Sequence, residues 1–138
     1  MSQRLEGKKI VVTAAGQGIG KATAIAFHNE GAHVIATDLN DKTLADLNKE
    51  FPSIVVKTLD STNNSAILDF TKSLDKVDVL FNAVGFVHHG SILDCEEKDW
   101  DFSSDVNVKS MFFMCKAILP LMVKQNGGSI INVSSCAS

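Results

Sequence analysis

Tyrosine is absent from the 138 residues, tryptophan occurs once, and proline only twice, at Pro52 and Pro120. Cysteine is scarce as well: Cys95, Cys115 and Cys136 form no Cys-x-x-Cys pair. That spacing fits neither a zinc site nor a disulfide framework, and an odd count suits a reducing compartment. Basic charge is not in excess, with 13 Lys and Arg against 16 Asp and Glu and a net charge of −3. Nothing in that balance calls for nucleic acid or an anionic membrane as partner. No apolar run approaches the length of a membrane span, and the opening Met1-to-Lys9 segment is too polar for a signal peptide. Repeats, linkers and low-complexity stretches are also missing. The expectation is one domain over residues 1–138, large enough to bury a core, in a soluble cytoplasmic protein.

What is present is an ordinary globular composition, 45% hydrophobic and 21% charged, organised around one stretch. The apolar run Ile10-Val11-Val12 ends in Thr13-Ala14-Ala15-Gly16-Gln17-Gly18-Ile19-Gly20-Lys21, and a helical pattern follows with Ala24, Ile25, Ala26 and Phe27. A strand, a glycine turn and a helix form an arrangement that binds a nucleotide diphosphate. The glycines let backbone approach the phosphates, and the first-turn N–H groups and helix dipole attract the negative charge. A tight turn without a ligand has the same composition, so the remaining strand ends decide between the two.

The periodicity predicts strands over 9–13, 32–38, 53–59, 77–82 and 129–133, and helices over 18–29, 41–51 and 65–73. A loop is expected from Ala83 to about Glu96, and a long helix from roughly Asp105 to Gln125. Gly31 is placed to end the first helix, and Leu44 and Leu47 to face inward. Near-continuous apolar strands alternating with helices describe an α/β fold, a parallel sheet covered on both faces. Right-handed crossovers and the glycine turn favour the doubly wound strand order 3-2-1-4-5.

In such sheets ligands bind beyond the carboxyl ends of the strands. That rule selects Gly16, Gln17, Gly18, Ile19 and Gly20 after the first strand, Asp38 after the second and Asp60 after the third. Asn82 to Gly85 follow the fourth strand, and Ser134-Ser135 the fifth. Asp38 stands eighteen residues past Gly20, close to the spacing for a carboxylate that accepts hydrogen bonds from an adenosine ribose. Such a carboxylate repels a 2′-phosphate, and Gln17 rather than Arg or Lys precedes Gly18, so NAD is favoured over NADP. The alternative role of Asp38 is to cap the helix near Asp41. Asp60 is placed either to bind an adenine amino group or to cap the turn Asp60-Ser61-Thr62-Asn63.

Four of these segments together resemble the short-chain dehydrogenases/reductases. Residues 13–20 resemble that family's Thr-Gly-x-x-x-Gly-x-Gly motif with Ala14 in place of the first glycine, and Asn82-Ala83-Val84-Gly85 resembles its Asn-Asn-Ala-Gly motif. Asn107, in Asp105-Val106-Asn107-Val108, matches the helix asparagine of the catalytic tetrad. Ser135, in Ile131-Asn132-Val133-Ser134-Ser135, aligns with the catalytic serine. More narrowly, residues 85–90 and 94–103 are similar to the type 2 3-hydroxybutyrate dehydrogenase branch. The resemblance implies a Rossmann fold and NAD-linked interconversion of a secondary alcohol and a ketone. Asn82 and Gly85 would then join the cofactor site, and Ser135 and Asn107 the catalytic group. It also implies a small hydroxy acid or ketone as substrate, a dimer or tetramer, and a role in lipid metabolism.

The family's acid/base tyrosine and its lysine partner lie past strand 5, and this sequence has no tyrosine. The expectation is therefore the cofactor half of a longer enzyme, with the last strands and helices outside these 138 residues and no activity from this half alone. The alternative is a truncated, non-catalytic product that binds nucleotide or competes for the full-length subunit's interface. A methyltransferase with a similar glycine turn would also tolerate Asp38, but gives no role to Asn107 or Ser135. His88 and His89 are adjacent, point differently and have no thiol or carboxylate at ligand spacing. No metal is expected there, and by position they line the substrate pocket.

Overall fold

The computed structural model describes residues 3–136. Five strands, β1 (Lys9–Val12), β2 (His33–Asp38), β3 (Val55–Thr58), β4 (Val79–Asn82) and β5 (Ser129–Asn132), form one sheet of order β3-β2-β1-β4-β5. Every neighbouring pair is parallel, with Val12 level with Ala36 and Phe81, and Asn82 level with Asn132. The helices α1 (Gly18–Asn29), α2 (Asp41–Glu50) and α3 (Asn64–Lys72) lie between the strands in sequence. The doubly wound order expected from the sequence is the one formed.

Alternation along β1 explains why the sheet is covered on both faces. Ile10 and Val12 pack in one core with Ala24 of α1 and Leu44 and Leu47 of α2. Val11, between them, turns to a second core with Leu80, Ile67 of α3, Met114, Ile118 and Met122. All three β1 residues are fully buried, which is why the strand reads as a continuous apolar run.

The start of β4 differs from the sequence pattern for an identifiable reason. Val77 donates its N–H to Gln125 Oε1 at 3.3 Å, and its carbonyl accepts from Gln125 Nε2 at 2.7 Å. Its backbone is thus committed to a side chain, and the ladder starts only at Val79. The long helix also starts earlier than Asp105. Helix α4 (Glu97–Ser104) runs through a π-helical turn (Asp105–Lys109) into α5 (Ser110–Lys124). A capping box fixes this start: Glu96 and Asp99 each accept from the other's backbone N–H. None of the α4 residues is buried, so the segment carries no apolar periodicity to read. Within α5, Ser110, Met114, Ile118 and Met122 form the buried stripe at a spacing of four. By length and composition the whole helix Glu97–Lys124 is long and apolar enough to cross a membrane. No single apolar run within it is long, and its buried stripe rests on the sheet.

At the sheet end opposite the glycine turn, Asp78 Oδ2 accepts from the Lys9 N–H at 2.8 Å and pairs with Lys76 Nζ at 3.2 Å. Burial pushes the Asp78 carboxyl up, but the Lys9 N–H and the Lys76 ammonium outweigh it and hold it below its ordinary value of 3.8. A lowered carboxyl contributes stability that is fully present above 3.8 and is lost as pH falls through the folded-state value. Denaturant midpoints measured from about pH 7 down to about pH 3 should therefore fall, and Asp78→Asn should flatten that fall. An equally steep acid limb in the variant would place the effect elsewhere.

Candidate functional site

A cleft of about 460 Å³ opens at the carboxyl ends of the strands, within the range typical of small-molecule sites. The turn after β1 is fixed to its neighbours on both sides. Thr13 is buried, and its Oγ1 accepts from the Ala83 N–H at 2.9 Å, tying the turn to the end of β4. Ala15 donates its N–H to the Thr37 carbonyl at 2.9 Å, tying it to β2. The chain reverses at Ala14, with φ +49°, and at Gly18, with φ +57°. Around Gly18 no heavy atom lies within 4 Å of where a Cβ would stand, whereas a Cβ at Gly20 would meet the Ala14 carbonyl oxygen at 2.1 Å. Helix α1 begins there with an extended Gln17 before it, no side-chain cap and no acidic residue in its first turn. Gln17, Gly18, Ile19 and Gly20 all line the cleft. The positive end of α1 is thus left uncompensated by side chains at the cleft wall, where an anion would be held.

Asp38 closes the next side. Its Oδ2 accepts from the Gly16 N–H and its Oδ1 from the Asn40 N–H, both at 2.9 Å. The cap of α2 comes from Asn40 instead, whose Oδ1 accepts from Lys42 N at 3.1 Å and Thr43 N at 3.2 Å. The helix-capping alternative for Asp38 is excluded by that arrangement, and its carboxylate lines the cleft. Gly16 lies behind it: a Cβ there would stand 2.1 Å from Thr43 Oγ1 and 2.9 Å from Asp38 Oδ2. Asp60 Oδ1 caps its own turn, accepting from Thr62 N at 2.9 Å and Thr62 Oγ1 at 2.6 Å. The residue still lines the cleft beside Leu39, Leu59 and Ser61.

The end of β4 supplies the third wall through Ala83, Val84, Gly85 and Phe86. Asn82 itself is 2% exposed and points into the sheet, donating from Nδ2 to Asn132 Oδ1 at 2.9 Å. It also lies 3.6 Å from Cys115 Sγ; burial pushes that thiol's pKa up despite the Asn82 contact. Asn107 stands in the π-helical turn with both ends of its amide on one backbone unit. Its Oδ1 accepts from the Phe86 N–H at 2.8 Å, and its Nδ2 donates to the Phe86 carbonyl at 2.9 Å. Phe86 in turn meets Phe102 edge to face at 4.9 Å. Ser135 is exposed, three residues past β5 at the same end of the sheet.

Nine of the residues selected from the sequence therefore line the cleft: Gln17, Gly18, Ile19, Gly20, Asp38, Asp60, Ala83, Val84 and Gly85. Gly16 lies behind Asp38, Asn82 in the sheet, Asn107 behind Phe86, and Ser135 at the sheet end without lining the cleft. The sequence reading missed the apolar lining, Leu39, Leu59, Phe86, Phe102 and Val106. Three of these sit at or just after strand ends, a signal masked because apolar residues read as core. It also missed a cluster outside the cleft. His88, Cys95 and Asp99 bring one donor atom each within 4.8 Å of one another, so a thiol and a carboxylate do stand near His88, although neither is at ligand spacing in the sequence. Loop folding, not periodicity, sets those neighbours.

An anion-attracting helix start, a fixed carboxylate and an apolar wall in one groove fit the parts of a dinucleotide: diphosphate, ribose and base. A family profile described as short chain dehydrogenase matches residues 8–138. The chain is 58% identical over 135 residues to dehydrogenase/reductase SDR family member 6 of Rattus norvegicus, covering 98% of this chain and 55% of that one. It is 48% identical to 2-keto-3-deoxy-L-fuconate dehydrogenase of Xanthomonas campestris pv. campestris, covering 98% and 45%. The solved structure of gox2181 superposes with a TM-score of 0.92 at 25% identity, over 96% of this chain and 55% of that one. The chain thus spans about half the length of the relatives it matches. The glycine turn, the strand order and the matched profile agree, and the chain belongs to the short-chain dehydrogenase family.

Proposed function

We propose that this chain supplies the NAD-binding half of an oxidoreductase acting between a secondary alcohol and a ketone, 3-hydroxybutyrate being one such substrate. The observation that carries the reading is the Asp38 carboxylate, fixed by the Gly16 and Asn40 N–H groups at the cleft wall beside the start of α1. A carboxylate so placed accepts from both ribose hydroxyls and repels a 2′-phosphate, which favours NAD over NADP. Gln17, Gly18 and Ile19 hold the diphosphate, Leu39 and Leu59 flank the adenine, and Asp60 borders it. The nicotinamide, when bound, supplies or accepts the hydride. Asn107 positions the Phe86 backbone at the nicotinamide end, and Ser135 holds the substrate oxygen.

Hydride transfer leaves an alkoxide-like oxygen that needs a proton source. No tyrosine occurs in these 138 residues, so the acid/base comes from the other half of an enzyme of the relatives' length. One relative is named for the carboxylate 2-keto-3-deoxy-L-fuconate, which supports a hydroxy-acid substrate. A homo-oligomer is part of the reading, supported by Val108 of the π-helical turn and Phe112, Leu119 and Val123 of α5, all exposed. So is a cytoplasmic location, supported by the three free cysteines among the described residues. The same exposed apolar residues favour a second reading, a non-catalytic chain that competes for a full-length subunit. Adding the chain to the full-length enzyme and following activity separates the two.

Asp38→Ala tests the NAD assignment. Titration of both cofactors should show NAD weakened about tenfold or more, or about 1.4 kcal/mol, with NADP less affected. Because Asp38 also anchors two backbone N–H groups, the melting curve of the variant is recorded alongside. Unchanged affinity for both cofactors in a folded variant would remove Asp38, and the preference for NAD, from the site.

A further inference from the structure

Segment 83–96 leaves β4 along the cleft and ends at the capping box of α4. Along it the chain brings three chemically distinct donors together: a ring nitrogen of His88, Sγ of Cys95 and a carboxylate oxygen of Asp99, all within 4.8 Å of one another. We propose that these three residues form a binding site for a divalent cation of the zinc class, with the fourth position left to water or an added ligand. The site lies outside the cleft lining and is independent of the dinucleotide reading.

The donor set selects the metal. Thiolate and imidazole together favour zinc over magnesium or calcium, which take oxygen ligands. Tetrahedral zinc has bonds of about 2.0 to 2.3 Å, so its ligand atoms stand roughly 3.5 Å apart. Going from separations within 4.8 Å to that spacing asks the three ligand atoms to approach by at most about 1.3 Å. Cys95 Sγ makes only a long contact to the Glu96 carbonyl, at 3.7 Å, which a metal bond readily replaces.

Two further features favour a cation. Asp99 Oδ2 accepts from the Glu96 N–H at 3.1 Å, and such outer hydrogen bonds orient a ligand and raise its affinity. The stretch 94–101 also carries Asp94, Glu96, Glu97, Asp99 and Asp101 against Lys98 alone. That density of carboxylates more than offsets the positive end of α4, which acts against a cation. Bound metal would pin segment 83–96, whose first four residues line the cleft, to the first turn of α4.

The probe is Co²⁺ followed by absorption, with Zn²⁺ competition for affinity. The expected result is saturable binding of one equivalent and a near-ultraviolet thiolate-to-cobalt band. Cys95→Ser should abolish the band, and His88→Ala should weaken Zn²⁺ by roughly tenfold to a hundredfold or more. His89→Ala should change neither. Asp99→Asn should weaken binding as well, with helix content recorded because Asp99 also caps α4. The proposal is overturned by no saturable binding, by binding without the thiolate band, or by a band and affinity that survive in both Cys95→Ser and His88→Ala.

Discussion

Gly20→Ala is expected to lower stability by about 1–3 kcal/mol and to remove dinucleotide binding. A Cβ at this position would stand 2.1 Å from the Ala14 carbonyl oxygen, 2.7 Å from its carbon and 2.9 Å from the Thr13 carbonyl oxygen. All three neighbours are backbone, so no side chain can swing aside. Ala14 is already held at φ +49°, and the next residue is bonded to Thr37, so the turn has little slack. The first turn of α1 must then move outward, carrying Gln17, Gly18 and Ile19 away from the cleft wall. Gly18 offers the contrast, since open space surrounds its Cβ position. There alanine meets only the cost of a left-handed backbone, on the order of 1 kcal/mol. Thermal unfolding of both variants and NADH fluorescence titration test the pair. A Gly20→Ala protein that melts and binds like the parent would show that α1 is not seated against the Ala14 carbonyl in solution.

The contrast between those glycines also shows what the sequence made legible. The bounds of α1 and the order of the sheet follow from local signals, a buried β1 run and a glycine turn that switches the period from two to near four. The glycines and acidic residues that line the cleft at strand ends were legible because one topological rule places them, whereas Leu39 and Leu59 beside them read as core. The start of α4 was not, because Glu96 and Asp99 make a capping box in a stretch with no buried residue, and hydrophobic periodicity is silent there. The start of β4 was hidden by one side chain, Gln125, forty-eight residues further on. Asp38 shows the intermediate case. Its place after β2 was legible, but whether it served α2 or the cleft depended on Asn40, which supplies the helix cap and releases the aspartate to face Gly16. The His88, Cys95 and Asp99 cluster depends wholly on the path of a loop.

Asn107→Ala is expected to cost roughly 1–2 kcal/mol of stability, loosen segment 83–86 and weaken cofactor binding. The side chain satisfies both backbone groups of Phe86, at 2.8 and 2.9 Å, and the π-helical turn Asp105–Lys109 carries it there. Such turns interrupt regular helices at functional sites, and here the extra residue per turn sets an amide opposite the chain that leaves β4. The bonds are not deeply buried, so water can replace part of what is lost, which keeps the cost below that of an orphaned core group. Gly85 lies close behind, its Cβ position 3.4 Å from Asn107 Oδ1, so release of Phe86 also frees the cleft residue before it. Asn107→Asp separates a geometric clamp from simple bulk. A carboxylate still accepts from the Phe86 N–H but is repelled by the Phe86 carbonyl, so aspartate should fail to rescue despite its near-identical shape. Amide exchange at residues 83–86, read beside NADH affinity, is the measurement. Faster exchange and weaker binding in both variants support the two-point clamp. Exchange unchanged in alanine, or full rescue by aspartate, would assign the turn's position to the packing of Phe86 on Phe102 instead.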